Sequence, residues 1–426
     1  MLLYHILWSL VLLVCLPAAF LSGDRRFRGR FGLSVPRVSR KDRPVWIHAL
    51  SVGEVYSALP LVEKIRNECP EIPVVFTATT RKGMAVAEKI ISGRVDGLHY
   101  MPVDAWWCAE RIVRYINPSV FVLVESDVWP YLLDCIGRRR IKRLLVNGRI
   151  SPRTFRGYRM FPFAARRLFR GFDLCLMQSE LDMERLVAVG VDSDRVEVGG
   201  NIKFDRSVEP INAQERAAWL DFFGFGELDP VVVAGSTHQG EEEILIRAFF
   251  SLRKQARHAR LIIAPRNIER AAEVEAIAGR MNFTVVRRSS IPPGAVPDVV
   301  VVDTIGELGR LYGLATVGFV GGSLVGIGGH NPLEPAALGC PVLFGPDMHN
   351  FDAMARMLVE AGAGVCVANE AELMDELIGF VMDHHLRNET GRKALRFVEG
   401  NRGAVARAVR EVKAMMVRRG REGEGC

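Results

Sequence analysis

The chain has 426 residues and a net charge of +7, from 56 Lys and Arg against 49 Asp and Glu. That length builds two domains of ordinary size. Its eight cysteines are scattered, without a CxxC pair or a neighbouring His at zinc spacing, which excludes a zinc module and points to reduced, mostly buried thiols.

Residues 1–22 carry no formal charge and are dominated by Leu, Val, Ile, Phe and Ala. At about 1.5 Å per residue the segment is long enough to cross a ~30 Å hydrocarbon core. It predicts a single membrane anchor in preference to a signal peptide: no Lys or Arg precedes Leu21, and Pro17-Ala18-Ala19-Phe20 is a poor cleavage site. A basic juxtamembrane segment, 23–44, follows with Arg25, Arg26, Arg28 and Arg30, and the positive-inside rule then keeps the bulk of the chain in the cytoplasm.

Apolar runs at 45–50, 74–77, 120–124 and 144–146, and again at 231–234, 261–264, 299–302, 317–320 and 342–344, alternate with helical stretches. Nearly continuous apolar strands predict parallel sheets covered on both faces. They fall into two sets, 45–205 and 231–410, separated by a polar, proline-containing linker at 206–230 and followed by a polar tail at 411–426. The expected fold class is α/β, with two doubly wound, Rossmann-like domains facing across a cleft. Ligands of such sheets bind at the carboxyl ends of the strands.

Ser51-Val52-Gly53-Glu54 forms the turn between a strand at 46–51 and a helix at 56–66, so Glu54 projects from a strand's carboxyl end, as a general base requires. The plainer alternative is an acidic residue answering a helix dipole. Glu125 stands at the end of the strand 121–124, beside Asp127. Residues 138–170 then hold eleven Arg and one Lys with no Asp or Glu, interleaved with Phe155, Tyr158, Phe161, Phe163 and Phe169. That mixture suits an anionic membrane surface or an acylated, phosphorylated acceptor; a solvated face is the bland alternative. An Arg-rich stripe is also a nucleic-acid footprint, but without a recognition helix, RNA-binding sheet or zinc finger no nucleic acid is expected.

In the second set, Pro265-Arg266 lies at a strand end, where Arg266 offers a fixed cation or, alternatively, a surface ion pair with Glu269 or Glu242. The glycine-rich stretch 321–351, GGSLVGIGGHNPLEPAALGCPVLFGPDMHNF, has the composition of a phosphate-and-sugar cradle, with Glu334 in the first turn of a following helix placed to hold a ribose diol. A tight strand–loop–helix turn is the alternative. His384-His385 is an isolated pair of imidazoles on an expected surface helix, and no Asp-x-Asp lies among the donor-site motifs, so no metal is expected.

Eight motifs taken in order carry a resemblance. They are WIHALSVGEV (46–55), ESDVWP (125–130), NGRIS (147–151), GNIKFD (200–205), AGSTHQGEEE (234–243), APRN (264–267), DTIGEL (303–308) and the glycine-rich loop. Together they resemble the 3-deoxy-D-manno-octulosonic acid (Kdo) transferases of lipopolysaccharide biosynthesis, which have the GT-B glycosyltransferase fold. The resemblance covers almost the whole chain and departs at Asn267, where the family has His, and at Ile327, where it commonly has Arg. It implies that Glu54 is the general base and that Glu125 and Lys203 support the transition state. It further implies that Pro265, Arg266, Ile305, Gly306, Glu307, Asn331, Pro332, Leu333 and Glu334 hold the CMP part of CMP-Kdo. A CMP-sugar carries one phosphate, so no metal cofactor is implied. The expected activity is inverting transfer of Kdo from CMP-Kdo to a lipid A precursor (lipid IVA) on the cytoplasmic side of the inner membrane. A GT-B nucleotide-sugar 2-epimerase and a non-catalytic acidic-lipid-binding membrane protein are the alternatives.

Overall fold

β-Branched residues are stiff at χ1 and suit a pleated surface, so the runs rich in Val and Ile form the strands that organise the molecule. The computed structural model describes residues 25–31, 43–125, 128–205 and 210–423. The chain divides into two compact units, Met1–Arg206 with Asn401–Cys426, and Ser207–Gly400.

In the first unit the strands are Val45–Ala49 (β1), Val74–Ala78 (β2), Gly97–Tyr100 (β3), Val120–Val124 (β4), Lys142–Gly148 (β5), Leu174–Met177 (β6) and Val196–Val198 (β7). They form one parallel sheet in the order β3-β2-β1-β4-β5-β6-β7. The second unit repeats the theme with Val231–Thr237 (β8), Arg260–Pro265 (β9), Val285–Arg287 (β10), Val299–Val301 (β11), Val317–Val320 (β12), Val342–Phe344 (β13) and Gly364–Cys366 (β14). Its parallel order is β10-β11-β9-β8-β12-β13-β14. Every residue of β1, β2, β4 and β9 is buried, as strands covered on both faces must be. The chain winds outward in opposite directions from β1 and β4, and from β8 and β12, which gives each sheet a topological switch point.

Helices cover both faces. In the first unit, the helix Val52–Glu68 packs Val55, Ala58, Leu61 and Val62 on one side, while Ala109, Ile112 and Val113 of Trp106–Ile116 and Leu132 and Ile136 of Pro130–Arg138 close the other. In the second, Glu241–Arg253 and Glu370–Met382 line one face, and Ala213–Phe223 with Phe225 lines the other.

Two expected boundaries change. The stretch 206–230 is more than a linker, because Asn212 caps the helix Ala213–Phe223 and buries its Leu220 and Phe223 in the second unit's core. At the other end, 401–426 returns to the first unit instead of completing the second and trailing off as a tail. The helix Ala404–Gly423 carries a narrow stripe, Ala404, Val405, Ala408, Val409, Val412 and Met415, that joins the core cluster of β1, β2 and β4. Asp205 fixes its start, accepting from the Gly403 amide (2.7 Å) and the Val405 amide (2.9 Å).

The anchor expected at 1–22 lies outside the described residues, as do Ser126 and Asp127. Among the described residues no helix is long and apolar enough to cross a membrane, and no group of His, Cys, Asp and Glu forms a metal site. Five of the six described cysteines are buried free thiols; Cys366 is exposed.

Ala408 is fully buried whereas Arg410, two residues on, is exposed. Ala408→Asp is therefore expected to cost roughly 3 kcal/mol or more by burying an unpaired charge, while Arg410→Ala stays within about 0.5 kcal/mol. Urea unfolding of both variants measures this, and an unchanged profile for Ala408→Asp would detach the helix from the first unit's core.

Candidate catalytic and donor-binding sites

Glu54 occupies the first turn of Val52–Glu68, immediately beyond β1. Only 8% of it is exposed, and its Oε2 accepts from the Leu50 amide at 2.5 Å. The carboxylate is thus fixed against the strand's end by its own turn, with a long 3.4 Å contact from the Ser51 hydroxyl. The helix begins earlier than the sequence predicts, so the dipole-facing and strand-end placements of Glu54 are the same place.

Across the switch point, Glu125 follows β4 in the left-handed region (φ +66°), as does Asn147 near the end of β5 (φ +62°). Neither is glycine, so both positions hold backbone strain of the kind that clusters at functional sites. Asn147 is buried and bridges: its Oδ1 accepts from the Ile202 amide (3.1 Å), its Nδ2 lies 3.4 Å from Glu125 Oε1, and its carbonyl accepts from Gln178 Nε2 (3.1 Å). Asn201 Nδ2 donates to Gln178 Oε1 (3.2 Å), and Lys203 Nζ stands 3.5 Å from Glu125 Oε1. The ends of β4, β5, β6 and β7 are joined in one polar network, which brings Glu125 and Lys203 together. Asn147 is the member that sequence reasoning missed, although it opens the NGRIS motif.

The basic run divides in two. Arg138 and Arg139 pair with Glu110, Arg138 also with Asp134, and Lys142 and Arg143 with Asp173, so this part is ion-paired by acids outside the run. Beyond it, the helices Pro152–Met160 and Pro162–Phe169 expose Met160, Phe161 and Phe163, the last at 81%. Phe163, Arg166, Arg167 and Arg170 line a surface cavity of about 260 Å³. Arg153, Arg166, Arg167 and Arg170 are exposed and enter no ion pair among the described residues.

In the second unit the glycine-rich loop departs from the cradle reading. The amides of Gly322, Ser323 and Leu324 donate to the Glu241 carboxylate, Gly321 donates to the Gly235 carbonyl, Gly328 to Asp347 and Gly329 to the Gly322 carbonyl. These donors are consumed within the protein. Glycine is needed at 321 because a Cβ there would sit 2.4 Å from the Ser236 carbonyl oxygen; the close approach is chain on chain. The helix after the loop is also short, Leu333–Ala336, too short for a strong dipole. Asn331 orders this segment by accepting from the Leu333 amide (3.1 Å), with its Nδ2 3.5 Å from Glu334 Oε1.

The other donor-site candidates stand at neighbouring strand ends. Pro265 ends β9, and the Arg266 amide donates to the Thr237 carbonyl at 2.9 Å. The Arg266 side chain is exposed and makes no ion pair among the described residues, because Glu242 is taken by Arg270 at 2.6 Å. Beyond β11, Ile305 is 79% exposed and Gly306 has φ +96° with open space beside it, so this tip turns outward. Glu307 is held by Arg288 (2.9 Å) and the Thr304 hydroxyl (2.5 Å), and Arg288 stacks over Phe222 and Trp219. Two histidines absent from the sequence-derived set meet here: His238 and His330 bring their Nε2 atoms to 2.9 Å with the rings coplanar within 2°. His238 and Glu241 both lie in the AGSTHQGEEE motif, which held them without singling them out.

Burial, then the Arg266 charge, pushes the His330 imidazole down to about 4; burial likewise lowers His238. Between that value and the ordinary 6.5 the unfolded chain binds a proton that the folded chain refuses. Stability is therefore full above about 6.5 and falls as the pH drops toward about 4. His330→Gln is expected to flatten part of that fall, measured by thermal unfolding across the window; an equally steep fall in the variant would assign the effect to other groups.

A family model described as 3-Deoxy-D-manno-octulosonic-acid transferase (kdotransferase) matches residues 25–206. The 3-deoxy-D-manno-octulosonic acid transferase of Chlamydophila psittaci is 31% identical over 356 residues, which is 83% of this chain and 81% of that protein. That of Haemophilus influenzae is 28% identical over 402 residues, 92% of each. Among solved structures, UDP-GlcNAc 2-epimerase from Neisseria meningitidis bound to UDP-GlcNAc has a TM-score of 0.59 over 88% of this chain and the whole of that one, at 13% identity, a likeness of fold alone. With two parallel seven-stranded sheets of the GT-B kind and identity sustained across both of them, this chain belongs to the 3-deoxy-D-manno-octulosonic acid transferase family, whose activity is glycosyl transfer.

Proposed function

We propose that the chain moves Kdo from CMP-Kdo to a lipid A precursor, lipid IVA, with inversion at the anomeric carbon and without a metal. The observation that carries this reading is positional: the residues assigned to chemistry stand beyond the carboxyl ends of parallel strands in both sheets. Glu54 follows β1, Glu125 follows β4, Lys203 follows β7, Arg266 follows β9, residues 305–307 follow β11, and residues 331–334 follow β12. In open α/β sheets that edge is where ligands bind.

An acceptor hydroxyl attacks the anomeric carbon and passes its proton to the Glu54 carboxylate. The bond from that carbon to the phosphate oxygen breaks, and CMP leaves with the electron pair. Lys203, held beside Glu125, supports the charge that develops. Arg266, exposed and outside any ion pair among the described residues, offers the cation for the single phosphate, and Glu334 accepts from the ribose hydroxyls. A CMP-sugar has a single phosphate to neutralise, which one side-chain cation can meet, so this chemistry does not require a metal. A nucleotide-sugar 2-epimerase is not favoured, since the likeness to epimerases is of fold alone while the 31% identity is to a Kdo transferase. A non-catalytic lipid binder would leave the strand-end residues of both sheets without a role.

The acceptor is a lipid, and the surface formed by Pro152–Met160 and Pro162–Phe169 suits the anionic membrane that carries it. With residues 1–22 as anchor, the catalytic units would lie on the cytoplasmic face of the inner membrane.

Glu54→Gln is expected to keep the fold and the affinity for CMP while lowering turnover roughly 100-fold or more, as measured on CMP-Kdo and lipid A precursor with a chelator present. Turnover near that of the natural chain would remove Glu54 from the role of base.

A chain lacking residues 1–22 is expected to sediment with anionic vesicles in low salt and to stay in solution in high salt, because the Debye length falls from about 10 Å at 0.1 M to about 3 Å at 1 M. Charge reversal at Arg153, Arg156 and Arg159 should reduce that binding and raise the KM for the lipid acceptor more than that for CMP-Kdo. Unaltered sedimentation and KM values would make the surface a solvated face only.

A further inference from the structure

Glu241 opens the helix Glu241–Arg253, and its side chain is 0% exposed. Its neighbour Glu242 is balanced by Arg270. Glu241 is balanced instead by four backbone amides: His238 (2.9 Å) and Gly322 (2.7 Å) donate to Oε2, and Ser323 and Leu324 (2.9 Å each) to Oε1. A buried carboxylate is tolerated only when so satisfied. Three consecutive amides converging on an anion are the geometry with which a glycine-rich turn holds phosphate. Here the chain fills that nest with a side chain of its own.

The four amides come from two loops. His238 lies in the connection after β8, and residues 322–324 lie in the connection after β12, so the carboxylate spans the second sheet's switch point. The same two loops supply His238 and His330, whose Nε2 atoms meet at 2.9 Å, and the carbonyl of Thr237, the last residue of β8, accepts from the Arg266 amide. A shift of either loop would part the imidazoles. We infer that Glu241 is a positioning residue of the donor site: it stands in for an anion in the glycine nest and registers the loops after β8 and β12, so that Arg266, His238 and His330 present one preformed face to the phosphate of CMP. The inference rests on the donor-site reading above. Its consequence is that this phosphate is recognised by side chains, because the nest is occupied from within.

The test uses the full chain and CMP binding followed by calorimetry, in Glu241→Ala, Glu241→Gln and Arg266→Ala, each checked for fold by circular dichroism. Glu241→Ala is expected to weaken CMP binding roughly tenfold or more, with part of the loss restored by added formate, which supplies the missing carboxylate. Glu241→Gln fills the space but turns an N–H toward the amides; it should show the loss without rescue, and it keeps the test open if the alanine variant does not fold. The KM for the lipid acceptor should not move, and formate should not restore Arg266→Ala. Weakened binding in Arg266→Ala together with unaltered CMP affinity in a folded Glu241 variant overturns the inference alone. A loss in Glu241→Ala that formate leaves untouched, with normal binding in Glu241→Gln, reduces Glu241 to general stability and also overturns it. Unaltered affinity in all three variants removes the donor-site reading itself. Rescue in Glu241→Ala with Arg266→Ala unaffected sustains the role of Glu241 and takes Arg266 out of the site.

Discussion

A parallel sheet sends the carboxyl end of every strand to one edge, and where neighbouring connections leave in opposite directions a crevice opens that backbone bonding cannot close. Both sheets of this protein depend on how that crevice is managed. In the first unit, β1 and β4 flank it, and their following residues present Glu54 and Glu125. In the second, β8 and β12 flank it, and the Glu241 carboxylate ties their loops together while the paired imidazoles lie over the same gap. One topology thus yields an edge that displays carboxylates and an edge whose loops are held in register by one.

Carboxylates anchoring backbone amides recur throughout the chain. Asp104 accepts from the amides of Tyr131 and Leu132 at the start of a helix, Asp182 from Ile150, Asp96 from Val74, and Asp205 from Gly403 and Val405. Each satisfies donors that a helix start or loop would otherwise bury unpaired. A carboxylate in this molecule can therefore serve the backbone as well as a substrate, and a strand-end position does not by itself separate the two uses. Glu54 holds the Leu50 amide and belongs to the same pattern. What separates Glu125 is the reverse condition: its side-chain neighbours are Lys203 and Asn147, and its backbone is held in a strained conformation.

The central strands were legible because burial on both faces leaves an unbroken apolar signature, as at β1, β4 and β9. The edge strands β3 and β10 are half-buried along their length and short, so they carry no such signature. The helix Ala404–Gly423 was hidden by its own composition: a stripe of small apolar residues is enough to pack on a sheet, and the arginines between them mask it. The glycine loop gave a true signal with the wrong object, since glycine marks close approach of backbone without saying whether a ligand or another loop approaches. Asn147 and Glu241 act on partners 55 and 81 residues away, and no local pattern encodes that separation.

The 3-10 turn Ile202–Asp205 shows how such distant contacts combine. At its start the Ile202 amide is held by Asn147, the residue that also reaches Glu125. At its end Asp205 holds the helix on which the chain returns to the first unit. Ile202 and Phe204 are buried between these anchors, and the half-buried Lys203 is directed to Glu125. A lysine on a free loop would sample many positions, and its long side chain would lose considerable entropy on meeting a carboxylate. Pinning the turn at both ends removes the backbone part of that cost in advance. The start of the C-terminal helix is thereby, through Asp205, part of the support of Lys203 as well as part of the core.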